Sequence, residues 1–194
     1  MANVTSVCVY CASSNRVDPA FLDGAAEFGG LLAKNGIRLV YGGGSLGLMG
    51  RCADGVMQAG GTVLGIIPEV LYHVEVHNGN LTELRVVPDM HSRKAMMFRE
   101  SDAFVVLPGG VGTLDELIEV LCWRQLNIHS KPVIIVNQDG YWDPLLALLD
   151  HVVEQKFAGE QTHDFYEVVA SVDDVLPMLA RMAEPDQADQ SFRI

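Results

Sequence analysis

The part of the sequence best suited to chemistry is the glycine-rich segment PGGVGTLDE at residues 108–116. An apolar run precedes it and leucines at helical spacing follow it, which predicts a turn from a buried strand into a helix. Glycines in such a turn permit positive φ and close approach of a ligand, and the helix start offers unpaired N–H groups. Gly109, Gly110 and Gly112 therefore predict a phosphate-binding loop.

Glu116 closes this segment, and its spacing has two interpretations. In a capping box, Thr113 begins the helix and Glu116 reaches back to the Thr113 N–H. Alternatively, Glu116 is a catalytic carboxylate beside a ligand whose phosphate the loop holds. Spacing alone favours the capping box and leaves the catalytic interpretation open.

Two cations, Arg93 and Lys94, lie early in a predicted helix at residues 90–99, with Asp89 as its N-cap. Cations at such positions are usually solvated, and the helix dipole prefers them at the other end. The helix directly follows a short strand at residues 84–87, so both side chains start near a strand's carboxyl end. That placement shifts the interpretation towards contact with an anion.

A second glycine-rich turn, GGGSLGLMG, follows a strand at residues 37–41. Gly42, Gly44 and Gly47 fit the GxGxxG pattern, with Glu69 at a suitable distance to bind a ribose, so a dinucleotide fold is one alternative. Tight packing is another. Together with the loop at Pro108, residues Gly42, Gly43 and Gly44 could enclose one small phosphorylated ligand.

Three other patterns have simpler explanations. Ser13 offers a hydroxyl at a strand's carboxyl end, although serines also form turns. Cys8 and Cys11 match CxxC, but a strand directs their side chains to opposite faces, which argues against a redox pair. His73 and His77 are four residues apart without an HExxH pattern, so we expect solvated histidines and no metal.

Short apolar runs alternate with helical patterns along the chain. Strands are predicted at residues 6–10, 37–41, 62–67, 84–87, 103–107, 132–136 and 165–170. This alternation predicts an α/β fold, a doubly wound parallel sheet with helices on both faces and ligands at the carboxyl ends of the strands. We expect a single domain over residues 1–183, followed by a polar, disordered tail at residues 184–194.

Composition excludes several classes of function. The chain has 194 residues, 49% of them hydrophobic, and a net charge of −12, which argues against binding to nucleic acid or to an anionic membrane. The first residues lack the pattern of a secretory signal and no apolar stretch is long enough to span a bilayer, so we expect neither a signal peptide nor a membrane span. Four scattered cysteines predict reduced thiols and a cytoplasmic protein.

The motifs PGGVGTLDE, YGGGSLGLMG, DMHSRKAMM and CWRQLNIHSKPV together resemble the LONELY GUY family. Its members are cytokinin riboside 5′-monophosphate phosphoribohydrolases, some once labelled lysine decarboxylases. The resemblance runs from about Ser6 to the helix after Trp142. It implies a Rossmann-like homodimer that needs no cofactor and hydrolyses the N-glycosidic bond of a purine riboside 5′-monophosphate, with AMP a possible substrate.

The resemblance also implies roles for individual residues. Arg93 and Glu116 match the family's catalytic pair. Substrate contacts are implied or considered at Ser13, Gly42, Gly43, Gly44, Glu75, Met90, Lys94, Gly109, Gly110, Val111, Gly112, Thr113 and Cys122. Plant members carry threonine where this chain has Cys122, which could alter base preference, and Glu75 is a looser match.

This chemistry agrees with the residues. Cleaving a ribosyl C–N bond builds positive charge on the sugar, which a carboxylate at Glu116 can stabilise while it orients or deprotonates water. Three alternatives remain: a non-catalytic nucleotide-binding or sensing module, a dinucleotide oxidoreductase, and a pyridoxal-dependent decarboxylase. The last needs a Schiff-base lysine, for which only Lys94 lies near a motif.

Overall fold

The computed structural model describes residues 4–72 and 79–182. The strands are β1 (Ser6–Tyr10), β2 (Arg38–Tyr41), β3 (Val63–Pro68), β4 (Glu83–Val87), β5 (Ala103–Val106), β6 (Val133–Val136) and β7 (Glu167–Val169). The helices are α1 (Pro19–Lys34), α2 (Gly47–Gln58), α3 (Glu69–Tyr72), α4 (Met90–Arg99), α5 (Val111–Gln125), α6 (Asp143–Glu154) and α7 (Val175–Met182). All seven predicted strands are present, with ends that differ from the predicted ends by at most two residues.

The seven strands form one parallel sheet in the order β4-β3-β2-β1-β5-β6-β7. The chain builds outwards from β1 to one edge and then returns to build from β5 to the other. The predicted doubly wound α/β fold is therefore confirmed. Strand order reverses between β1 and β5, and the crevice beyond their carboxyl ends is where such folds bind ligands.

Alternate residues of the central strands face two separate cores. Val7 and Val9 pack with α1, α2 and α7, whereas Cys8 and Tyr10 pack with α4, α5 and α6. Both faces of the sheet are thus covered, which explains why the strands read as continuous apolar runs. Cys8 and Cys11 lie in opposite cores, as predicted, so the two thiols do not form a redox pair.

Helix α4 begins where its sequence predicts. The Asp89 side chain accepts a hydrogen bond from the Ser92 N–H at 2.7 Å, as expected of an N-cap. This fixes the first turn of α4 after β4 and brings Arg93 back over the sheet, where it is buried.

Some expectations fall on residues outside the described ranges. They concern His73, Glu75, His77 and the tail at residues 184–194. Within residues 4–72 and 79–182, no helix combines the length and apolar character that crossing a bilayer requires.

Candidate active site

A cavity of about 300 Å³ opens at the carboxyl ends of β1 and β5, where strand order reverses. The loop after β1, the end of the loop after β5 and the amino-terminal parts of α2, α4 and α5 surround it. Its lining comprises Cys11, Ala12, Ser13, Met49, Met90, Arg93, Gly110, Val111, Gly112, Thr113, Asp115 and Glu116. The structure therefore brings together both predicted catalytic residues, the start of α5, Ser13 and Met90.

Glu116 is half-buried in this lining, more than one turn into α5. Burial raises the pKa of its carboxyl group from 4.5 to about 7, against the opposing effect of the Arg93 charge, while Asp115 raises it further. Within residues 4–72 and 79–182, no hydrogen bond satisfies the carboxylate. A carboxyl group with such a pKa can act as a base near neutral pH.

The capping box at Thr113 and Glu116 is wrong. Helix α5 begins at Val111 with Gly110 as its N-cap, so Thr113 already lies inside the first turn. Its side chain is buried, and a Cβ on Gly109 would come within 2.1 Å of the Thr113 hydroxyl oxygen. Glu116 is therefore not used to cap the helix, and Gly109 provides room for Thr113.

Glycine permits positive φ, but the three glycines of this loop do not adopt it. In the described chain, glycines with positive φ include Gly43 and Gly47, but not Gly109, Gly110 or Gly112. A Cβ added to Gly110 or Gly112 would meet no atom within 4 Å. These two glycines line the cavity, so their missing side chains leave open space in which a ligand can approach the backbone.

Arg93 is buried, with 8% of its surface exposed, and only part of its guanidinium group is paired. One terminal nitrogen donates to the Gly42 carbonyl at 3.2 Å, and the other lies 3.8 Å from the Met90 sulfur. Nε has no hydrogen-bond partner in the described structure. An unsatisfied buried donor is costly, so the Nε–H is a donor that the protein itself leaves unpaired beside the cavity that Arg93 lines.

The second glycine turn lies next to the site and leaves room for residues that form it. Gly42, Gly43 and Gly44 are buried and do not line the cavity. A Cβ on Gly42 would lie 1.8 Å from the Arg93 terminal nitrogen, and one on Gly47 would lie 2.5 Å from the Ser13 carbonyl carbon. The glycines thus serve internal packing, and Glu69 is exposed beyond β3, which disfavours the dinucleotide alternative.

Three further predicted contacts, Gly109, Lys94 and Cys122, do not line the cavity. Lys94 forms ion pairs with Asp115 and Glu119, both at 3.1 Å, and so joins α4 to α5. Cys122 is exposed on α5 and does not line the cavity. Of the other predicted contacts, Glu75 lies outside the described residues.

Sequence reasoning missed Cys11, Ala12, Met49 and Asp115 as lining residues. The first two directly precede Ser13 in the loop after β1, and Asp115 directly precedes Glu116, so adjacency was a usable signal for three of the four. Met49 enters from α2, an approach that depends on tertiary packing. No three His, Cys, Asp or Glu side chains in the described ranges are grouped so that they could hold a metal ion.

Comparison with known proteins places this arrangement in a family. A family described as "Possible lysine decarboxylase" matches residues 49–179. The chain is 44% identical over 184 residues to the "Probable cytokinin riboside 5'-monophosphate phosphoribohydrolase LOGL1" of Oryza sativa subsp. japonica, covering 95% of this chain and 81% of that protein. The chain belongs to the LONELY GUY family.

Another relative agrees with this placement in the LONELY GUY family, and two solved structures share the fold. The Arabidopsis thaliana phosphoribohydrolase LOG3 is 42% identical, over 91% of this chain and 86% of that protein. A molybdenum cofactor binding protein of Rippkaea orientalis superposes with TM-score 0.73 at 21% identity, over 95% and 100% of the two chains. The molybdenum cofactor carrier protein of Chlamydomonas reinhardtii gives 0.71 at 21%, over 93% and 98%. At such identities these two structures support the fold alone.

The lysine decarboxylase description does not fit the site of this LONELY GUY chain. Pyridoxal chemistry requires an amine that can form a Schiff base with the cofactor. Lys94 is held by two carboxylates and does not line the cavity, and no other lysine lines it either. The cavity instead combines a carboxylate, a guanidinium group and a helix start.

Proposed function

We propose that the protein hydrolyses the N-glycosidic bond of purine riboside 5′-monophosphates, including cytokinin nucleotides and AMP, to give the free base and ribose 5-phosphate. The names of its relatives, phosphoribohydrolases that act on cytokinin riboside 5′-monophosphates, support this reaction. One observation carries the proposal: the same cavity is lined by a carboxylate without a hydrogen bond, Glu116, by a buried guanidinium group, Arg93, and by the amino end of α5.

The amino end of α5 is suited to the 5′-phosphate. Its first N–H groups have no partner within the helix, and the helix dipole favours an anion there. Gly110 and Gly112 leave the backbone accessible, and the buried Thr113 hydroxyl lies in the same turn. Binding energy from the phosphate fixes the ribose against the groups that act on it.

Glu116 carries the chemical step in this proposal. Departure of the purine leaves positive charge on the ribose, and an ionised Glu116 one helical turn from the phosphate stabilises that charge. The same carboxylate accepts a proton from the water that attacks C1′, and this proton then passes to the departing purine, which takes the electron pair of the broken C–N bond and leaves as the neutral base. The Glu116 pKa of about 7 suits a general base at neutral pH.

Arg93 can act in two ways. Its charge lowers the pKa of Glu116 and so keeps that carboxylate ionised. Its unpaired Nε–H can also donate to an oxygen of the sugar or the phosphate. The two roles predict different pH dependence in an Arg93 variant.

We also propose that the protein acts as a homodimer. Large apolar side chains on α5 are exposed beside the cavity, with Val111 at 84% and Ile118 at 39%. Such a patch is typical of a protein interface. Light scattering should give about twice the 21.1 kDa chain mass, and Val111→Asp should reduce the mass to that of a single chain. A wild-type monomer would refute the dimer.

We propose that the protein is cytoplasmic. Its four cysteines are free thiols, three of them buried. Unpaired cysteines are usual in a reducing compartment. Fractionation of the source cells with an antibody against the chain would test this location.

The reaction is tested by incubating the purified protein with AMP and with isopentenyladenosine monophosphate, then separating the products by chromatography. We expect free base and ribose 5-phosphate from at least one of them. Glu116→Gln should lower kcat by roughly 10²–10⁴-fold, the usual contribution of an acid–base group. The same preparation of Glu116→Gln also controls for contaminating hydrolases.

The rival proposal is a sensing module that binds nucleotide without cleaving it. Calorimetry with AMP would then show binding, while chromatography after hours of incubation would recover only AMP. The half-buried, unbonded Glu116 disfavours this alternative, because a binding site for an anion gains nothing from a nearby carboxylate.

A further inference from the structure

Tyr141 lies between β6 and α6 and contacts the glycine-rich loop that follows β5. It follows β6, after a turn in which Asp139 and Gly140 both have positive φ. Its hydroxyl donates to the Gly109 carbonyl at 2.7 Å. The ring packs edge-on against Phe21 and Trp142, with centroid distances of 5.6 and 4.8 Å. Packing against these two rings holds the Tyr141 ring in place and therefore fixes the position of its hydroxyl.

This bond completes the pairing of the loop's carbonyl groups. The Pro108 carbonyl accepts from the Ala12 N–H at 3.1 Å, and the Gly110 carbonyl accepts from the Leu114 N–H at 3.0 Å. The Gly109 carbonyl lies between these two and is held by Tyr141. All three acceptors are thus engaged by the protein, and the loop's N–H groups remain for a ligand.

The direction of the Gly109 carbonyl fixes the direction of the next N–H group. No peptide bond in the described chain is cis, and in a trans peptide the C=O and N–H vectors point in opposite directions. A Gly109 carbonyl turned towards Tyr141 therefore turns the Gly110 N–H away from it, and Gly110 lines the cavity. If this peptide flipped, a carbonyl dipole would face the phosphate and repel it.

The Gly109–Gly110 peptide needs such a restraint more than others do. Both flanking residues lack Cβ, so the steric limits on peptide rotation are the weakest available in a protein. We propose that Tyr141 is a positioning residue for phosphate recognition, whose hydroxyl holds this peptide so that the Gly110 N–H faces the 5′-phosphate. The inference rests on the proposed function, and it assigns a task to a residue outside the cavity lining.

The test is Tyr141→Phe, which removes the hydroxyl and keeps the ring. Ribose 5-phosphate serves as the probe in calorimetry, because it carries the phosphate and is not hydrolysed further. We expect its Kd to rise about five- to tenfold, the effect of one ordinary hydrogen bond. KM for AMP should rise by a similar factor with kcat nearly unchanged, while inhibition by adenosine, which lacks the phosphate, should stay at the wild-type level.

Tyr166→Phe is the matched control. Tyr166 is buried immediately before β7, at the opposite end of the strands from the cavity, and its hydroxyl has no hydrogen-bond partner in the described structure. This variant should leave Kd, KM and the adenosine inhibition constant unchanged. Both variants are first compared with the wild type by thermal unfolding.

The outcomes separate the inference from the proposed function. If wild-type protein binds ribose 5-phosphate but cleaves no nucleotide, the proposed function fails, and the calorimetric comparison still tests Tyr141. If Tyr141→Phe weakens ribose 5-phosphate and adenosine equally, Tyr141 has only a structural role and the inference is refuted. Unchanged affinity for ribose 5-phosphate refutes it as well.

Discussion

The raised pKa of Glu116 predicts a steep dependence of activity on pH. With a pKa of about 7, the ionised fraction of this carboxyl is about 9% at pH 6 and about 91% at pH 8, so kcat/KM should rise roughly tenfold between them. At the ordinary value of 4.5, the carboxyl would be almost fully ionised at both pH values. The ratio would then be close to one.

The substrate complicates this measurement, because the second ionisation of a 5′-phosphate has a pKa near 6. The pH profile of kcat/KM reports the free enzyme and the free substrate. Titrating the substrate alone by phosphorus NMR identifies its contribution. A second ionisation near 7 in the profile is then assigned to the enzyme.

Glu116→Gln tests that assignment. The amide keeps the size of the side chain and cannot ionise, so residual hydrolysis should lose the ionisation near 7 and retain that of the substrate. If the variant keeps the limb near 7, another group is responsible. If wild-type kcat/KM is flat from pH 6 to pH 8 after correction for the substrate, the reasoning from burial of Glu116 is refuted.

Two further predictions concern stability and packing. A folded-state pKa above the unfolded value of 4.5 means that ionised Glu116 destabilises the folded protein progressively as pH rises from about 4.5 through about 7. Glu116→Gln should therefore raise Tm more at pH 8 than at pH 5, and at pH 8 the free energy of unfolding should increase by up to about 3 kcal/mol. An equal rise in Tm at both pH values would contradict this. Gly42→Ala should displace Arg93, because the new methyl carbon would lie 1.8 Å from its terminal nitrogen, and should lower kcat/KM far more than Gly30→Ala. The Gly30 position in α1 has no atom within 4 Å of an added Cβ, so its variant should keep full activity and a Tm no lower than wild type; equal activities of the two variants would refute the packing argument.

The fold was accessible from sequence because burial on both faces leaves a plain signal. Each strand of a covered parallel sheet, such as Val133–Val136, reads as an apolar run flanked by helical patterns. The sequence predicted a doubly wound parallel sheet but not the order of its strands, since the separation of residues along the chain does not say which strands pair. The reversal between β1 and β5 that creates the cavity became visible in the sheet itself.

Local geometry in the glycine-rich loop was less accessible. The pattern Thr113-Leu114-Asp115-Glu116 fits a capping box, yet α5 begins two residues before Thr113. Sequence cannot distinguish a threonine at the N-cap from one inside the first turn, because both are compatible with the same spacing. Glycine likewise has two uses, positive φ and close approach, and here Gly110 and Gly112 serve the second.

Contacts between side chains that are distant in the chain could not be predicted from the sequence. Lys94 follows Arg93 in sequence, and proximity to a strand end suggested that both contact an anion. In the structure, adjacent positions on α4 point in different directions, so Arg93 enters the cavity while Lys94 meets Asp115 and Glu119. Which cation meets the ligand depends on the orientation of the helix over the sheet.

The two possible roles of Arg93 lead to a last prediction. A phosphate at the amino end of α5 adds negative charge about one turn from Glu116, which raises the pKa of that carboxyl above its value in the free protein. The step proposed for Glu116 needs the ionised form, so a positive charge must oppose this effect once substrate is bound. The charge of Arg93 lowers the Glu116 pKa more than the charge of Lys94 does.

Arg93→Met keeps much of the volume of the side chain and removes the charge. If Arg93 mainly keeps Glu116 ionised, the limb in kcat, which reports the enzyme–substrate complex, moves to higher pH, and part of the activity lost at pH 7 returns at pH 9. If Arg93 mainly binds sugar or phosphate oxygens through its free Nε–H, KM rises at every pH and the limb does not move. Because the buried Gly42 carbonyl already accepts one of the five guanidinium N–H groups and Nε is itself buried, few of the donors are free for the substrate, and we expect the electrostatic role to dominate.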